Sequence, residues 1–289
     1  IVRRAGAVWV WSRGEELVTD RFPELASAAL QSLPDGTVID GEILVWLPGE
    51  PAPRPFADLQ KRLGRKTLTP KLLRELPVVL VAYDLLEHAG QDVREQPQHA
   101  RRALLEALLQ LPSTTSGEAP AGALRLSPLL QGADWQDLAR QREAARSLGT
   151  EGFMLKHRDA HYGVGRTKDV GVWWKWKIDP MSVDAVLIYA QRGHGRRASL
   201  YTDYTFAVWN GPPDDANRQL VPFAKAYSGL TDAEIAQVDA IIRKTTRESF
   251  GPVRSVEATQ VFELGFEGIA KSPRHKSGIA VRFPRMLRW

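Results

Sequence analysis

Apolar and polar positions alternate most clearly in Trp173–Ile178, where lysines and tryptophans take turns. Read as a strand, whose successive side chains point to opposite faces, this segment puts Lys175 and Lys177 on one face and Trp174, Trp176 and Ile178 on the other, with the tryptophans anchored in a core. A second strand runs through Val38–Trp46, with Asp40 and Glu42 two apart and on one face. Glu151 opens a third, through Lys156, and the apolar run Val78–Tyr83 a fourth, which brings out Tyr83 beside Asp84. Val2–Trp11 reads as a strand pair interrupted at Arg3-Arg4-Ala5-Gly6, and Pro34-Asp35-Gly36 as a turn. Helical spacing appears after Pro23 as far as Leu30, in Phe56, Leu59 and Leu63 before Gly64, and in Leu104, Leu108 and Leu111 after Pro97. Asp134 is a good N-cap for a helix Trp135–Leu148, and Pro112–Ala123 reads as an inserted loop.

Ile178-Asp179-Pro180-Met181 breaks the lysine strand and precedes a fresh alternation over Val183–Tyr189. The expected boundary therefore separates residues 1–179 from 180–289. Beyond it, Ser199–Asp203, Tyr204–Trp209, Gln260–Phe266 and Ile279–Phe283 read as strands. One helix is well signalled: Thr231 and Glu234 form a capping box, Leu230 and Ile235 a hydrophobic staple, and Ile235, Val238 and Ile242 the buried face. Short strands with one helix suit a small Greek-key β-barrel such as the OB-fold, so the fold class is α+β.

With 289 residues and 43% hydrophobic content, the chain is long enough for two domains with real cores. A net charge of +5 permits a polyanionic partner without requiring one. The absence of cysteine excludes disulfides, thiolate zinc sites and cysteine nucleophiles. There is no apolar run of about eighteen residues and no signal-peptide pattern, so no membrane partner is expected and the cytoplasm is the expected compartment.

Three carboxylates (Asp40, Glu42, Glu151) and two lysines (Lys175, Lys177), all at strand ends or on strand faces, describe a site for a nucleotide polyphosphate with a hard divalent cation. On the strand the two ammonium groups sit roughly 7 Å apart, a spacing suited to phosphate oxygens between them. Any one of these residues alone reads as a solvated strand end; the combination points to chemistry. Lys61, Arg62, Arg65 and Lys66 form a basic cluster that reads as a solvated helix end or as a DNA-backbone contact. Arg192, Arg196 and Arg197 crowd one loop of the second half, and Lys271, Arg274, His275 and Lys276 another, which suits phosphate contacts on a duplex and equally a generic solvated loop. His157 and His161 are four apart but lack a third ligand, and Gly163-Val164-Gly165-Arg166 lacks the lysine-serine of a P-loop and reads as a turn between strands.

Asp40-Gly41-Glu42, Tyr83-Asp84-Leu85-Leu86, Glu151-Gly152-Phe153-Met154-Leu155-Lys156 and Trp174-Lys175-Trp176-Lys177 resemble, in order and spacing, the motifs of ATP-dependent DNA ligases, which are covalent nucleotidyltransferases. Ser12-Arg13-Gly14 with Phe22-Pro23-Glu24, and Val281-Arg282-Phe283-Pro284-Arg285, are similar to flanking segments of that family. The resemblance implies an adenylation domain with antiparallel and mixed sheets followed by an OB-fold, ATP and Mg²⁺ as cofactors, and nicked duplex DNA as substrate of a monomer, with repair proteins as partners. It implies roles: Asp40 and Glu151 for Mg²⁺, Glu42 for a ribose hydroxyl, Tyr83 for stacking on adenine, and Lys175 and Lys177 for the α-phosphate. Arg13, Arg196, Arg197 and Lys276 would contact DNA. The family's nucleophilic lysine lies in a K-x-D-G pattern that occurs nowhere here, so the expectation is a core truncated at both ends, unable to adenylate itself and limited to sealing a nick adenylated beforehand. RNA ligases, capping guanylyltransferases and a DNA-binding remnant without chemistry are the competing expectations.

Overall fold

The computed structural model describes residues 1–65, 67–110, 122–163 and 173–289. Lys66, most of the expected 112–123 loop, Leu111 and the Val164-Gly165-Arg166 part of the glycine turn lie outside the described residues. The chain divides into two compact units, Ile1–Ile178 and Asp179–Trp289.

In chain order the first unit comprises β1 (Val2–Arg4), β2 (Ala7–Trp9), α1 (Pro23–Ser32), β3 (Thr37–Val45), α2 (Phe56–Leu63), α3 (Pro70–Glu75), β4 (Val78–His88), β5 (Gln91–Asp92), α4 (Gln98–Gln110), β6 (Leu124–Leu126), α5 (Trp135–Ala144), β7 (Gly152–Lys156) and β8 (Trp173–Lys177). Its six-stranded sheet has the order β2-β1-β3-β4-β5, with β6 alongside β4 in the parallel sense. Leu25, Ile39, Leu85 and Leu105, from α1, β3, β4 and α4, are fully or almost fully buried and form the centre of one core. Strands β7 and β8 stand apart as a two-stranded antiparallel sheet.

Two glycines are dictated by backbone approach. A Cβ on Gly41 would lie 2.7 Å from the Val81 carbonyl oxygen, beside the bulge in β4 that faces Asp40 on β3. Gly152 has φ +121°, and a Cβ there would lie 2.3 Å from the Trp176 carbonyl oxygen.

The expected basic cluster on α2 needs correction. Arg62 is fully buried, and its guanidinium grips Glu24 with both terminal nitrogens while donating to the carbonyls of Arg21 (2.8 Å) and Leu76 (3.1 Å). It also lies 5.2 Å from the Phe22 ring centroid. Phe22-Pro23-Glu24 therefore ties α1 to α2, and only Lys61 and Arg65 of the described cluster are exposed. Position, not charge, separates them, since Arg62 shares the buried side of α2 with Leu59.

The second unit comprises β9 (Met181–Arg192), β10 (Tyr201–Trp209), β11 (Leu220–Ala226), α6 (Asp232–Thr245), β12 (Thr246–Phe250), β13 (Val253–Val256), β14 (Val261–Phe266), β15 (Gly268–Lys271), β16 (Ile279–Arg282) and β17 (Arg285–Arg288). The two strands expected over Ser199–Trp209 are one, β10. The capping box is present, Ile235 is buried, and Val238 and Ile242 pack with Leu187, Phe206, Phe262 and Leu264 in a second core. Strand β9 pairs with β10 on one edge, and on the other with β14 along Met181–Val186 and β13 along Tyr189–Gln191. The expected barrel is corrected here: among the described residues the order β11-β10-β9-β13-β12 runs from one end to the other without a ladder joining β11 to β12, and β15 and β16 pair only with each other.

Replacing Arg62 by methionine strands the Glu24 carboxylate and the backbone carbonyls of Arg21 and Leu76. Removal of one partner of a buried ion pair costs about 3–5 kcal/mol, so Arg62→Met should lower the unfolding free energy of the chain by that order in a urea titration.

Candidate functional site

Strands β3 and β4 are antiparallel neighbours with Asp40 opposite Asp84. The Asp40 carboxylate accepts from two phenols, Tyr83 at 3.2 Å and Tyr162 at 2.7 Å. Burial, and then the adjoining negative charge of Asp40, push both phenols well above the ordinary tyrosine range, so both are donors at any working pH. Glu42 is exposed, yet its charge also reaches Tyr83, so the two carboxylates of the Asp-Gly-Glu segment bear on one ring.

Beneath this lies a buried charge cluster. Asp84 and Arg101 are both fully buried, and Arg101 Nε donates to Asp84 Oδ1 at 2.8 Å while Nη2 reaches Oδ2 at 3.2 Å. The remaining guanidinium hydrogens go to Gln98 Oε1 and to the carbonyls of Gln96 and Ala160. Lys156, the last residue of β7, brings its ammonium to 3.4 Å from Asp84 Oδ2 and stands over the rings of Trp173 (3.9 Å) and Tyr83 (4.8 Å). Burial lowers the Lys156 ammonium below the usual lysine range, and Asp84 partly offsets this. Tyr162 meets Trp173 edge to face at 5.6 Å.

On the separate hairpin, Gly152 pairs with Lys177 and Met154 with Lys175. Lys175 is exposed, and Lys177 lies 3.5 Å from Glu151. Alternation places Trp173, Lys175 and Lys177 on one face, so the ring that joins the Asp40 cluster shares the lysine side. The opposite tryptophan face is no core: Trp174 is 49% exposed, and Trp176 is covered from the side by Trp135, Phe153 and the Arg142 guanidinium.

The structure thus brings Asp40 and Tyr83 together, and Glu151 with Lys177, while Glu42 is exposed. Arg13 is exposed on its turn in the first unit. In the second unit Arg196 and Lys276 are exposed, and Arg197 is paired with Asp232 at 2.7 Å. Among the described residues no three Asp, Glu, His or Cys side chains converge to cage a metal ion, and His161 is instead paired with Glu95 at 3.0 Å. Arg101 and Tyr162 join the site with no role expected from the sequence, and Lys156 joins it as the last residue of the Glu151 segment. Arg101 was detectable as a lone cation in the stripe with Leu104, Leu105 and Leu108 on α4; Tyr162 carries no comparable signal.

Comparison with known proteins matches residues 1–177 to the ATP dependent DNA ligase domain. A probable DNA ligase of Koribacter versatilis is 38% identical over 295 residues, covering 97% of this chain and 49% of its own length. A DNA ligase of Haloferax volcanii is 33% identical over 285 residues, covering 98% of this chain and 46% of its own. The chain therefore spans about half the length of these curated relatives. A solved structure from a study of Lig E DNA ligases superposes with a TM-score of 0.62 at 19% identity, over 97% of this chain and 85% of that one, a likeness of fold.

The lowered Lys156 fixes the sign of one pH effect. Between its depressed value and the ordinary 10.5, the unfolded chain binds more protons than the folded one, so this group's contribution to stability rises with pH across that window. Below the window the buried ammonium is a constant burden. The stability difference between the wild type and Lys156→Met, followed by urea denaturation from neutral pH to about pH 10, should move in favour of the wild type as pH rises; a flat difference contradicts the assignment.

Proposed function

The chain belongs to the ATP-dependent DNA ligase family, and on that premise we propose that it carries the nucleotide- and phosphate-handling centre of an enzyme that joins the 5′-phosphate and 3′-hydroxyl of nicks in duplex DNA. What supports this reading is a meeting of segments far apart in sequence: Asp40-Gly41-Glu42, Tyr83-Asp84 and Lys156 of the Glu151 strand converge through the Asp40–Tyr83 and Lys156–Asp84 contacts. Tyr83 offers its ring to the adenine and Glu42 a carboxylate to the ribose. Lys175 and Lys177 stand where charge accumulates on the α-phosphate and stabilise it as the 3′-hydroxyl attacks the adenylated 5′-phosphate and AMP departs.

Mg²⁺ keeps several waters and binds through one or two carboxylates plus substrate phosphates. Asp40 and Glu151 would hold it, and its chemistry would be to offset phosphate charge. Arg13, Arg196, Arg197 and Lys276 take DNA phosphates by charge, the register of the duplex being set by the backbone rather than by sequence. The adenylation domain corresponds to the first unit. The second is read as an open variant of the OB-fold, on the strength of its long β9 flanked by β10 and β14 and of α6 between β11 and the later strands. The enzyme acts as a monomer at the nucleoid, alongside repair proteins.

Formation of the lysyl-adenylate needs a lysine in a K-x-D-G setting, which these 289 residues do not contain. The chain should therefore take up no label from ATP, yet seal a nick adenylated beforehand. Label on the chain, or no product from the adenylated nick, contradicts the respective half. Nicked RNA and GTP as alternative substrates separate RNA ligase and capping chemistry from this reading. In the sealing assay Lys175→Ala should slow the step by about 10²-fold, the usual loss for a charge-stabilising donor; an unchanged rate removes Lys175 from the site.

A further inference from the structure

We propose that Tyr162 is a positioning residue that fixes the Asp40 carboxylate, an assignment that rests on the ligase reading of the site. Asp40 sits on β3 facing a bulge in β4, where Tyr83 falls between the pairs Asp40–Asp84 and Gly41–Ala82, and its side chain depends on its own partners for orientation. Those partners are unequal. The Tyr83 hydroxyl is at 3.2 Å and the Tyr162 hydroxyl at 2.7 Å, the length of a charge-assisted bond. Each phenol takes a different oxygen, so together they set the plane of the carboxylate while leaving lone-pair directions for a substrate hydroxyl or a hydrated cation.

Tyr162 is suited to this because it is itself held from several sides. Its backbone N–H donates to the Arg94 carbonyl at 2.8 Å, its ring edge meets Trp173 at 5.6 Å, and the Arg101 guanidinium lies 5.9 Å from its centroid. Arg101 in turn is locked by Asp84, the residue opposite Asp40. Tyr162 therefore couples the carboxylate of the Asp-Gly-Glu strand to the strand that carries Lys175 and Lys177. Partners that orient a ligating or hydrogen-bonding group typically account for a 10–100-fold effect when removed.

The test is a double-mutant cycle on sealing of a pre-adenylated nick under single-turnover conditions, with Tyr162→Phe, Asp40→Asn and the pair. Phenylalanine keeps the ring against Trp173, so packing is retained and only the hydroxyl is lost. Tyr162→Phe should slow sealing at saturating duplex by about 10–100-fold with no change in the duplex concentration for half-saturation, and in the Asp40→Asn background it should have no further effect. A rate equal to wild type, a loss confined to duplex affinity, or losses that multiply in the double variant would each overturn the role while leaving the ligase reading intact. A wild-type chain that seals nothing overturns that reading and this inference with it.

Discussion

A carboxylate cannot be buried alone, and the first unit is built around one that is not. Asp84 has no exposure, and in that setting an unpaired charge would shift to its neutral form or unfold its surroundings. Arg101 and Lys156 prevent this from two directions, one from α4 and one from the end of β7. Both cations also lie against aromatic rings, Lys156 over Tyr83 and Trp173 and Arg101 5.9 Å from the Tyr162 centroid. The same pairing holds the two sheets of the unit in register with each other, so the electrostatics of the site and its architecture have one origin.

A second pair, the buried Arg62 with the half-buried Glu24, obeys the same rule. It shows why motif-like segments cannot all be read as catalytic. Phe22-Pro23-Glu24 is demanded by packing: the proline starts α1, the phenylalanine lies beside the guanidinium, and the glutamate closes the ion pair.

The elements whose signals are local were legible in the sequence. The cap at Asp134, the capping box at Thr231, the proline start of α1 and the alternation of β8 all arise from contacts between residues a few positions apart. Strands such as β12, β13 and β17, short and partly exposed, carry too little periodicity to be seen and exist because a neighbour offers an unpaired edge. The tryptophan face of β8 was misjudged because alternation tells which residues share a face and not what covers it; Trp174 stays largely open. At the site, the carboxylates and lysines stood out by type and spacing, whereas Tyr162 reaches Asp40 across 122 residues of chain, a contact no window can anticipate.

The separateness of the β7–β8 hairpin bears on how the site would respond to occupancy. A sheet of two strands has a single ladder, and ladders of this size have little cooperative protection of their own. Its anchorage comes instead from side chains: Lys156 on Asp84, Trp173 on Tyr162, and Trp176 on Trp135 and Arg142 of α5. Amide protons of β8 are thus placed to exchange with solvent through small openings that leave the six-stranded sheet intact. An anion bridging Lys175 and Lys177 would close those openings, so part of its binding free energy would be spent as lost hairpin entropy, and slowed exchange in β8 would register occupancy without any displacement of the fold.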